Sequence, residues 1–416
     1  MKTAFAAGLL GLALAAVGAA RAAPVAWVEM TAAGPEARAV TDAAACPSLW
    51  VDGRARPMKV RAGPDDAFAN RVCAAPLPPG ARRVVVEGER LPLPKARPDR
   101  LVIIGDSGCR LKGPIVQNCN DPSGWPFARV AALAAARHPD LVVHVGDYYY
   151  RETPCPTGQS ACAGSPYGDR WTTWKAEVFD PAAPLLAAAP WVFARGNHED
   201  CNRGGAGWFR LLDAAPNPKV CPAQSDTFAV DLGGVRLFLV DSNDTDDAKA
   251  PPDLVAAFAA RLDAIGAIPS GEAGWIVTHR PIWFAVRHGD ALSDGIANAT
   301  ERAAARGRDL RGVQLVLSGH LHDFTSMDFG PARPPQLVVG TGGDLLDIND
   351  LPPPVTGTAD VDALPAQVFS MGRWGYFEFD RAGKDWVGGF HDLTDALVAR
   401  CRLRDRSLAC ARVRPG

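Results

Sequence analysis

The chain contains 416 residues, of which 47% are hydrophobic and 22% are charged, and its formal net charge is −2. These values are typical of a soluble globular protein, and the length favours one large domain with an accessory segment. No block of like charge stands out, so nothing in the sequence indicates a nucleic-acid-binding surface or attraction to an acidic membrane.

Residues 1–22 have the pattern of a secretion signal. Lys2 provides a short positively charged n-region, and residues 4–20 are apolar and rich in alanine and leucine. Ala20-Arg21-Ala22 has the small-x-small pattern of a cleavage site. An uncleaved membrane anchor is the alternative, but the segment is short for a full span. We therefore predict cleavage near Ala22, export to the periplasm or the extracellular space, and no stable membrane span after cleavage.

The ten cysteines fall as five close neighbours along the chain. An even number of cysteines in an exported protein predicts disulfides, and pairing in sequence order is the simplest arrangement. Zinc binding is a weaker alternative because none of the spacings forms a paired C-x2-C set. The cysteines are Cys46, Cys73, Cys109, Cys119, Cys155, Cys162, Cys201, Cys221, Cys401 and Cys410.

Residues 23–98 are predicted to form a small β-rich N-terminal domain and its linker. Short alternating runs such as 82–86 are broken by proline and glycine, as small strands are. The segment 91–98 contains Pro92, Pro94 and Pro98, which favours an extended linker.

The pattern changes in residues 99–393, which are predicted to form one large α/β domain. Apolar runs at 101–104, 141–145, 191–194, 275–277 and 313–317 are typical of strands buried on both faces. Helices are expected between them, at 126–137 and 254–265, and closing strands at 376–379 and 386–390. Residues 394–416 form a basic tail in which Cys401 and Cys410 are expected to staple a hairpin.

Each of the five apolar runs is followed by a short polar motif. In open α/β sheets, functional sites form where the carboxyl ends of strands meet, so these motifs are expected to converge. The glycines are expected to let the backbone turn sharply there. The motifs begin Gly105-Asp106-Ser107-Gly108, Gly146-Asp147-Tyr148-Tyr149-Tyr150, Gly196-Asn197-His198-Glu199, Thr278-His279-Arg280 and Gly319-His320-Leu321-His322.

These motifs resemble those of the calcineurin-like metallophosphoesterases and, within that family, those of the purple acid phosphatases. The family pattern GDxG, GDxxY, GNH(D/E), VxxH and GHxH stands here, in order, as GDSG, GDYYY, GNHE, VTHR and GHLH. The resemblance covers roughly residues 100–392. It implies a metallophosphoesterase catalytic domain with a four-layer α/β/β/α sandwich, preceded by the small β-rich domain.

The resemblance also implies two metal ions. Carboxylate, amide, phenolate and imidazole donors suit iron, zinc or manganese, and a carboxylate can bridge two cations. The implied ligands are Asp106, Tyr150 and His322 for one ion and Asn197, His279 and His320 for the other, with Asp147 bridging both.

The tyrosine distinguishes this branch of the family. Many relatives carry a histidine where Gly108 stands, and Tyr150, three residues after Asp147, is expected to fill that place. A phenolate at neutral pH needs a strong Lewis acid beside it, which favours Fe(III) at the Tyr150 side. Fe(II), zinc or manganese is expected at the Asn197 side. Tyr148 or Tyr149 as the ligand is the alternative.

Further residues have implied roles near the substrate. The resemblance makes His198 the general acid that protonates the departing alkoxide, a role that suits an imidazole. Glu199 is expected to orient His198 or to raise its pKa, and it is also a candidate substrate-binding residue. His288 is expected either to contact substrate or to be a plain surface residue. Arg195 and Arg280 are expected either to bind phosphate oxygens or to form structural ion pairs.

The predicted reaction is hydrolysis of a small-molecule phosphate monoester by attack of a metal-bound hydroxide, with Asp147 and His198 as catalytic residues. A phosphodiesterase that uses the same metals on nucleotides or lipid headgroups is the nearest alternative. An alternative of another class is a non-catalytic secreted binding protein on a phosphatase scaffold. The oligomeric state is left open by the sequence.

Overall fold

The computed structural model describes residues 23–268, 272–347 and 354–414. The predicted secretion signal, residues 1–22, lies outside these described residues. Within the described ranges, no helix combines the length and the apolar character that crossing a bilayer requires.

The secondary structure follows the predicted alternation of strands and helices. The N-terminal segment contains β1 (Val25–Thr31), β2 (Gly34–Thr41), β3 (Leu49–Val51), β4 (Arg54–Arg56), β5 (Lys59–Ala62), β6 (Arg71–Pro76), β7 (Val84–Val86) and β8 (Glu89–Leu91). The later strands are β9 (Arg100–Ile104), β10 (Leu111–Lys112), β11 (Ile115–Val116), β12 (Leu141–His144), β13 (Trp191–Phe193), β14 (Phe228–Asp231), β15 (Val235–Val240), β16 (Ala273–Thr278), β17 (Phe284–His288), β18 (Ala291–Gly295), β19 (Val313–Ser318), β20 (Phe324–Asp328), β21 (Gln336–Val339), β22 (Val355–Val361), β23 (Leu364–Met371), β24 (Gly375–Ala382), β25 (Asp385–Asp392), β26 (Leu397–Arg404) and β27 (Ser407–Arg412). The helices are α1 (Phe127–Ala136), α2 (Trp171–Trp174), α3 (Ala183–Ala188), α4 (Gly205–Leu211), α5 (Pro252–Gly266) and α6 (Ala299–Ala305).

Two large sheets face each other across the main core. One has the strand order β27-β26-β25-β24-β9-β12-β13-β1-β2-β6-β5, and the other has the order β14-β15-β16-β19-β21-β20-β23-β22. Strands β9, β12 and β13 are parallel neighbours, as are β15, β16, β19 and β21. Their carboxyl ends therefore lie along the same edge of each sheet.

Helices cover the outer face of both sheets. Leu101 and Trp275 belong to the core between the sheets, whereas Val102 packs with Phe127 of α1 on the outer face of the first sheet. On the outer face of the second sheet, Ile276 packs with helix α5. Burial of both faces explains the continuous apolar runs, and it confirms the four-layer α/β/β/α sandwich.

The N-terminal segment is β-rich, as expected, but much of it continues the first large sheet. Strand β1 pairs in parallel with β13, and β2, β6 and β5 follow it. Strands β3, β4, β7 and β8 form a separate four-stranded sheet. The domain boundary at residues 98–99 stays a prediction.

Five disulfides join the ten cysteines in sequence order. The C-terminal pair joins the antiparallel strands β26 and β27, so the tail is a stapled hairpin that extends the first sheet from β25. The pairs are Cys46–Cys73, Cys109–Cys119, Cys155–Cys162, Cys201–Cys221 and Cys401–Cys410.

Candidate metal centre

The five motif loops meet at the carboxyl ends of β9, β12, β13, β16 and β19. Backbone hydrogen bonds tie them together in pairs. The amide of Asp106 donates to the carbonyl of Gly146 at 2.9 Å, and the amide of Gly319 donates to the carbonyl of His279 at 3.0 Å. Across the two sheets, the amide of His320 donates to the Asp106 carboxylate at 3.1 Å.

One group of side chains surrounds the phenolic oxygen of Tyr150. This oxygen lies 3.2 Å from Asp106 Oδ1, 3.0 Å from Asp147 Oδ2 and 3.1 Å from His322 Nε2. His322 Nε2 and Asp106 Oδ1 are 3.4 Å apart. The four residues predicted to serve the first metal ion therefore meet at the hydroxyl of Tyr150.

A second group shares Asp147 with the first. His279 Nε2 lies 3.2 Å from Asp147 Oδ2 and 3.2 Å from Asn197 Oδ1. Ligand atoms of Asp147, His279 and His320 all lie within 4.8 Å of one another. The same oxygen, Asp147 Oδ2, thus contacts both groups, which is the position that a bridging ligand needs.

The two groups have the chemistry of a cation site. Asp106 and Asp147 are buried carboxylates, and isolated charges are costly to bury unless they are paired or bind a metal. Burial opposes protonation of His279, but Asp147 outweighs it and raises the pKa of His279 to about 9. Burial also opposes protonation of His322, but nearby carboxylates, chiefly that of Asp344, raise its pKa to about 10. The field at these two rings favours positive charge, whereas burial, with Arg280 beside it, lowers the pKa of His320 well below its usual value.

The three consecutive tyrosines point to different surroundings. Tyr148 stacks on His144, with ring centroids 4.0 Å apart, and donates its hydroxyl to the carbonyl of Ala194 at 2.9 Å. Tyr149 packs against Trp174. Burial, with the Asp147 carboxylate, raises the pKa of Tyr150 well above its usual value. Since only Tyr150 reaches the group around Asp106 among these three, its predicted role as ligand fits the geometry.

Backbone geometry at the site differs in part from the expectation. Asp106, Asp147 and His320 have positive φ values of 54°, 58° and 70°, a region that non-glycine residues rarely adopt and that is enriched at functional sites. Gly196 does not have a positive φ. A Cβ there would lie 2.1 Å from Asp147 Oδ1, so this glycine provides room for the carboxylate rather than a sharp turn.

Glu199 contacts backbone amides, and its predicted contact with substrate stays a prediction. Its side chain is fully buried and accepts hydrogen bonds from the amides of Tyr148, Tyr149 and Gly196, at 2.8, 3.0 and 3.0 Å. Burial, reinforced by the Asp147 charge, raises the pKa of Glu199 to about 8. Glu199 therefore braces two motif loops against each other and does not orient the imidazole of His198.

His198 is instead held by residues that the sequence analysis did not single out. Its Nδ1 lies 3.1 Å from the carbonyl oxygen of Tyr149 and 3.0 Å from Glu152 Oε1. A guanidinium nitrogen of Arg203 lies 2.7 Å from Nδ1 and 2.9 Å from Nε2. Neither Glu152 nor Arg203 lies in one of the five motifs, so neither had a local signal.

The remaining substrate-side predictions have mixed outcomes. Arg280 forms an ion pair with Asp247 and also contacts His320 Nε2 at 3.1 Å, so it borders the cluster. His288 is exposed at the end of β17, outside the buried cluster, and its contact with substrate stays a prediction. Arg195 pairs with the buried Asp241 at 3.2 Å, which is a structural ion pair.

Two buried acidic residues next to the cluster lie outside the five motifs. Asp344 is buried, forms an ion pair with Arg110 and lies 3.6 Å from His322 Nε2. It follows the apolar strand β21, as the motif residues follow their strands, but it lies outside the five motifs. Glu177 accepts hydrogen bonds from the amides of Cys109 and Tyr150 and has no local sequence signal.

Comparisons with known proteins agree with this architecture. A family model described as calcineurin-like phosphoesterase matches residues 99–324. A purple acid phosphatase from yellow lupin (Lupinus luteus) seeds is 12% identical, with a TM-score of 0.55, over 90% of this chain and 73% of that one. PhoD is also 12% identical, with a TM-score of 0.55, over 95% of this chain and 92% of its own. At this identity the two structures show a shared fold, and no curated protein sequence matches the chain.

Proposed function

The chain belongs to the calcineurin-like phosphoesterase family and is a metal-dependent phosphoester hydrolase, and we propose that it acts on small phosphate monoesters outside the cytoplasm. The observation that carries the proposal is the position of Asp147 Oδ2, 3.0 Å from the Tyr150 hydroxyl and 3.2 Å from His279 Nε2. One carboxylate oxygen between two sets of O and N donors matches the needs of a dinuclear site.

Seven side chains would hold the two ions. When bound, such a pair supplies Lewis acidity that activates water and stabilises negative charge on phosphoryl oxygens. The phenol of Tyr150 supports Fe(III) on its side, because a buried phenolate needs a strong neighbouring cation. The amide and imidazoles of the other group suit Fe(II), zinc or manganese. The seven are Asp106, Asp147, Tyr150, Asn197, His279, His320 and His322.

His198 is placed to move a proton. Its Nδ1 faces two acceptors, the carbonyl of Tyr149 and the carboxylate of Glu152, so Nδ1 carries a hydrogen and donates it. The second nitrogen, Nε2, lies 3.8 Å from Asp147 Oδ2 and faces the cluster. The acid role therefore needs the ring protonated at both nitrogens, so that the proton on Nε2 can pass to the leaving oxygen of an ester bound there. Burial lowers the pKa of His198, and the carboxylates of Asp147 and Glu152 oppose that effect.

Export is supported by two features of the chain. The sequence begins with the pattern of a secretion signal. In the described part of the chain all ten cysteines are joined as disulfides, which persist in oxidising compartments such as the periplasm or the extracellular space.

The acid role of His198 is tested by the leaving group. A poor leaving group such as an alkoxide must be protonated as it departs, whereas nitrophenolate leaves without help. We expect His198→Ala to lower kcat on an alkyl phosphate by roughly 10²–10⁴-fold and to affect 4-nitrophenyl phosphate far less. Equal losses on both esters, with metal content unchanged, would contradict the acid role.

The preference for monoesters is tested separately. Rates of the purified, metal-loaded protein on 4-nitrophenyl phosphate and bis(4-nitrophenyl) phosphate are to be measured side by side. We expect the larger kcat/KM for the monoester. A larger value for the diester would favour a phosphodiesterase that uses the same residues.

A further inference from the structure

Arg203 is a cation at the rim of the site, and no motif contains it. It follows Cys201, whose disulfide with Cys221 anchors the loop after β13. Its Nη1 donates to the carbonyl of Asn197 at 3.0 Å, and its Nη2 donates to Glu152 Oε1 at 2.5 Å. These bonds fix the guanidinium beside a predicted metal ligand, while 20% of the side chain remains exposed.

The guanidinium of Arg203 lies directly against the imidazole of His198. One guanidinium nitrogen lies 2.7 Å from Nδ1 and 2.9 Å from Nε2 of the same imidazole. A single nitrogen that is equally close to both ring nitrogens cannot lie in the ring plane along either lone pair, so the guanidinium lies against the face of the ring. Arg203 therefore lies beside the ring nitrogen from which the predicted proton transfer would start.

The guanidinium also has unused hydrogen-bonding capacity. Arginine carries five N–H groups, and the carbonyl of Asn197 and the carboxylate of Glu152 account for two of them. Its Nε is buried and has no hydrogen-bond partner among the described residues. The N–H groups of the two terminal nitrogens that are not bonded to Asn197 or Glu152 can donate to an oxygen of a bound anion.

A second arginine borders the same region. Arg280 contacts His320, a member of the second group of predicted ligands, at 3.1 Å. Its guanidinium therefore lies beside the second group of predicted ligands.

We propose that Arg203, positioned by Glu152, binds a non-bridging phosphoryl oxygen of the substrate and selects phosphate monoesters over diesters. The proposal rests on the proposed phosphoesterase function and names the substrate class of the same site. A monoester dianion offers three non-bridging oxygens and two charges to a guanidinium. A diester offers two such oxygens and one charge, and its second ester group would meet the charged rim.

The central experiment replaces Arg203 by methionine in the full, metal-loaded enzyme. A charge-assisted hydrogen bond contributes enough that its loss weakens binding by roughly 10–100-fold. We expect Arg203→Met to raise KM for 4-nitrophenyl phosphate and the inhibition constant of inorganic phosphate by that factor. For bis(4-nitrophenyl) phosphate, kcat/KM is expected to change much less. Arg203→Lys should recover part of the lost binding, and Glu152→Gln should weaken binding in the same direction but by less.

Arg100→Met is the matched control. Arg100 pairs with Asp380 at 2.7 Å, at the start of β9 and so at the opposite end of the strand from Asp106. Its loss also removes an ion pair but should leave KM and phosphate inhibition unchanged. Melting temperature and metal content are measured for every variant, so that misfolding is recognised. If Arg203→Met is misfolded, the comparison of Arg203→Lys with the wild type provides the test.

The proposal is overturned if Arg203→Met lowers kcat on both esters equally while KM and phosphate inhibition stay unchanged. That result would make Arg203 a brace of the Asn197 loop. Calorimetry with inorganic phosphate separates this failure from failure of the proposed function. If the wild-type protein hydrolyses neither ester, equal phosphate affinity of the wild type and Arg203→Met still refutes the assignment, and weaker binding by the variant still supports it.

Discussion

The hydroxyl of Tyr150 is the buried group that best distinguishes one predicted ligand from its neighbours. Tyr150 is buried, and its hydroxyl contacts Asp106, Asp147 and His322 at 3.0–3.2 Å. Removing that hydroxyl takes one donor from the first predicted metal position and leaves the ring packing nearly unchanged. Tyrosine to phenylalanine is therefore a precise probe of metal ligation here.

We expect Tyr150→Phe to weaken the metal at this position and to abolish any visible absorption band from a tyrosinate bound to Fe(III). The physical reason is that the phenolic oxygen is both a ligand and the source of the charge-transfer transition. Metal analysis and the visible spectrum of the purified protein provide the measurement. An unchanged spectrum in the variant would exclude Tyr150 as the iron ligand.

Tyr149→Phe is the matched control for that experiment. Tyr149 is the preceding residue and is also buried, but its ring packs against Trp174 away from the group around Asp106. We expect its spectrum and metal content to equal those of the wild type. If the band disappears only in Tyr149→Phe, the ligand has been assigned to the wrong member of the run.

The sequence predicts the local part of the site and not the part that depends on distant contacts. The seven predicted ligands each lie within a few residues of a strand end, so a motif and the position of a strand are sufficient to place them. Glu152, Arg203 and Glu177 reach the site from irregular or helical segments. Glu199 lies inside a motif, but its partners are backbone amides of another loop, which no local pattern reveals.

At the scale of secondary-structure elements, an ion-pair network fastens helix α1 to the first sheet. Arg137, at the end of α1, donates to both carboxylate oxygens of Glu378 on β24, at 3.0 and 2.8 Å. His391 on β25 lies 3.3 Å from the same carboxylate. The apolar runs predict α1 and these strands, but the pairing of their polar ends requires the folded arrangement.

This network predicts a pH-dependent contribution to stability. Burial alone would raise the pKa of Glu378, but His391 and Arg137 together lower it to about 2. Because the folded-state pKa lies below that of the unfolded chain, the stabilisation is complete above about pH 4.5. It is lost as the pH falls towards 2. We expect Glu378→Gln to lower the free energy of unfolding by roughly 1–3 kcal/mol at pH 7 and by clearly less at pH 3.

Urea unfolding of both proteins at several pH values provides the measurement. Asp380→Asn is the control, because its pair with Arg100 is about half exposed and such pairs contribute only about 0–1 kcal/mol. A stability difference between Glu378→Gln and the wild type that is the same at pH 7 and pH 3 would show that the carboxylate charge does not matter.

At the scale of the whole molecule, the N-terminal segment is joined to the catalytic layers by more than a linker. Arg38 donates to the carbonyls of Leu211 and Asp213 at 2.8 and 2.7 Å. Arg61 donates to the carbonyl of Phe209 at 2.8 Å. These carbonyls lie at the end of α4, where the last turn of a helix lacks backbone partners. The same segment covers the edge of β13 by pairing it with β1.

These contacts predict that residues 23–98 are required for the remainder to fold. Removing them exposes the edge of β13, and an uncovered strand edge promotes aggregation. It also leaves the end of α4 uncapped, and α4 follows directly after the loop that carries Asn197, His198 and Arg203. We expect the chain from residue 99 onward to aggregate or to lack a cooperative unfolding transition.

The point variant Arg61→Met is a milder form of the same change, and Arg56→Met is its matched control because β4 is exposed. We expect a lower melting temperature for Arg61→Met and no change for Arg56→Met, as measured by calorimetry. A fragment from residue 99 onward that unfolds at the same temperature as the longer chain, and hydrolyses 4-nitrophenyl phosphate equally well, would contradict the prediction. Cutting the chain at residue 99 breaks the backbone hydrogen bonds between β13 and β1, because the two strands belong to one sheet. Such a fragment would need other partners for the backbone N–H and C=O groups of β13.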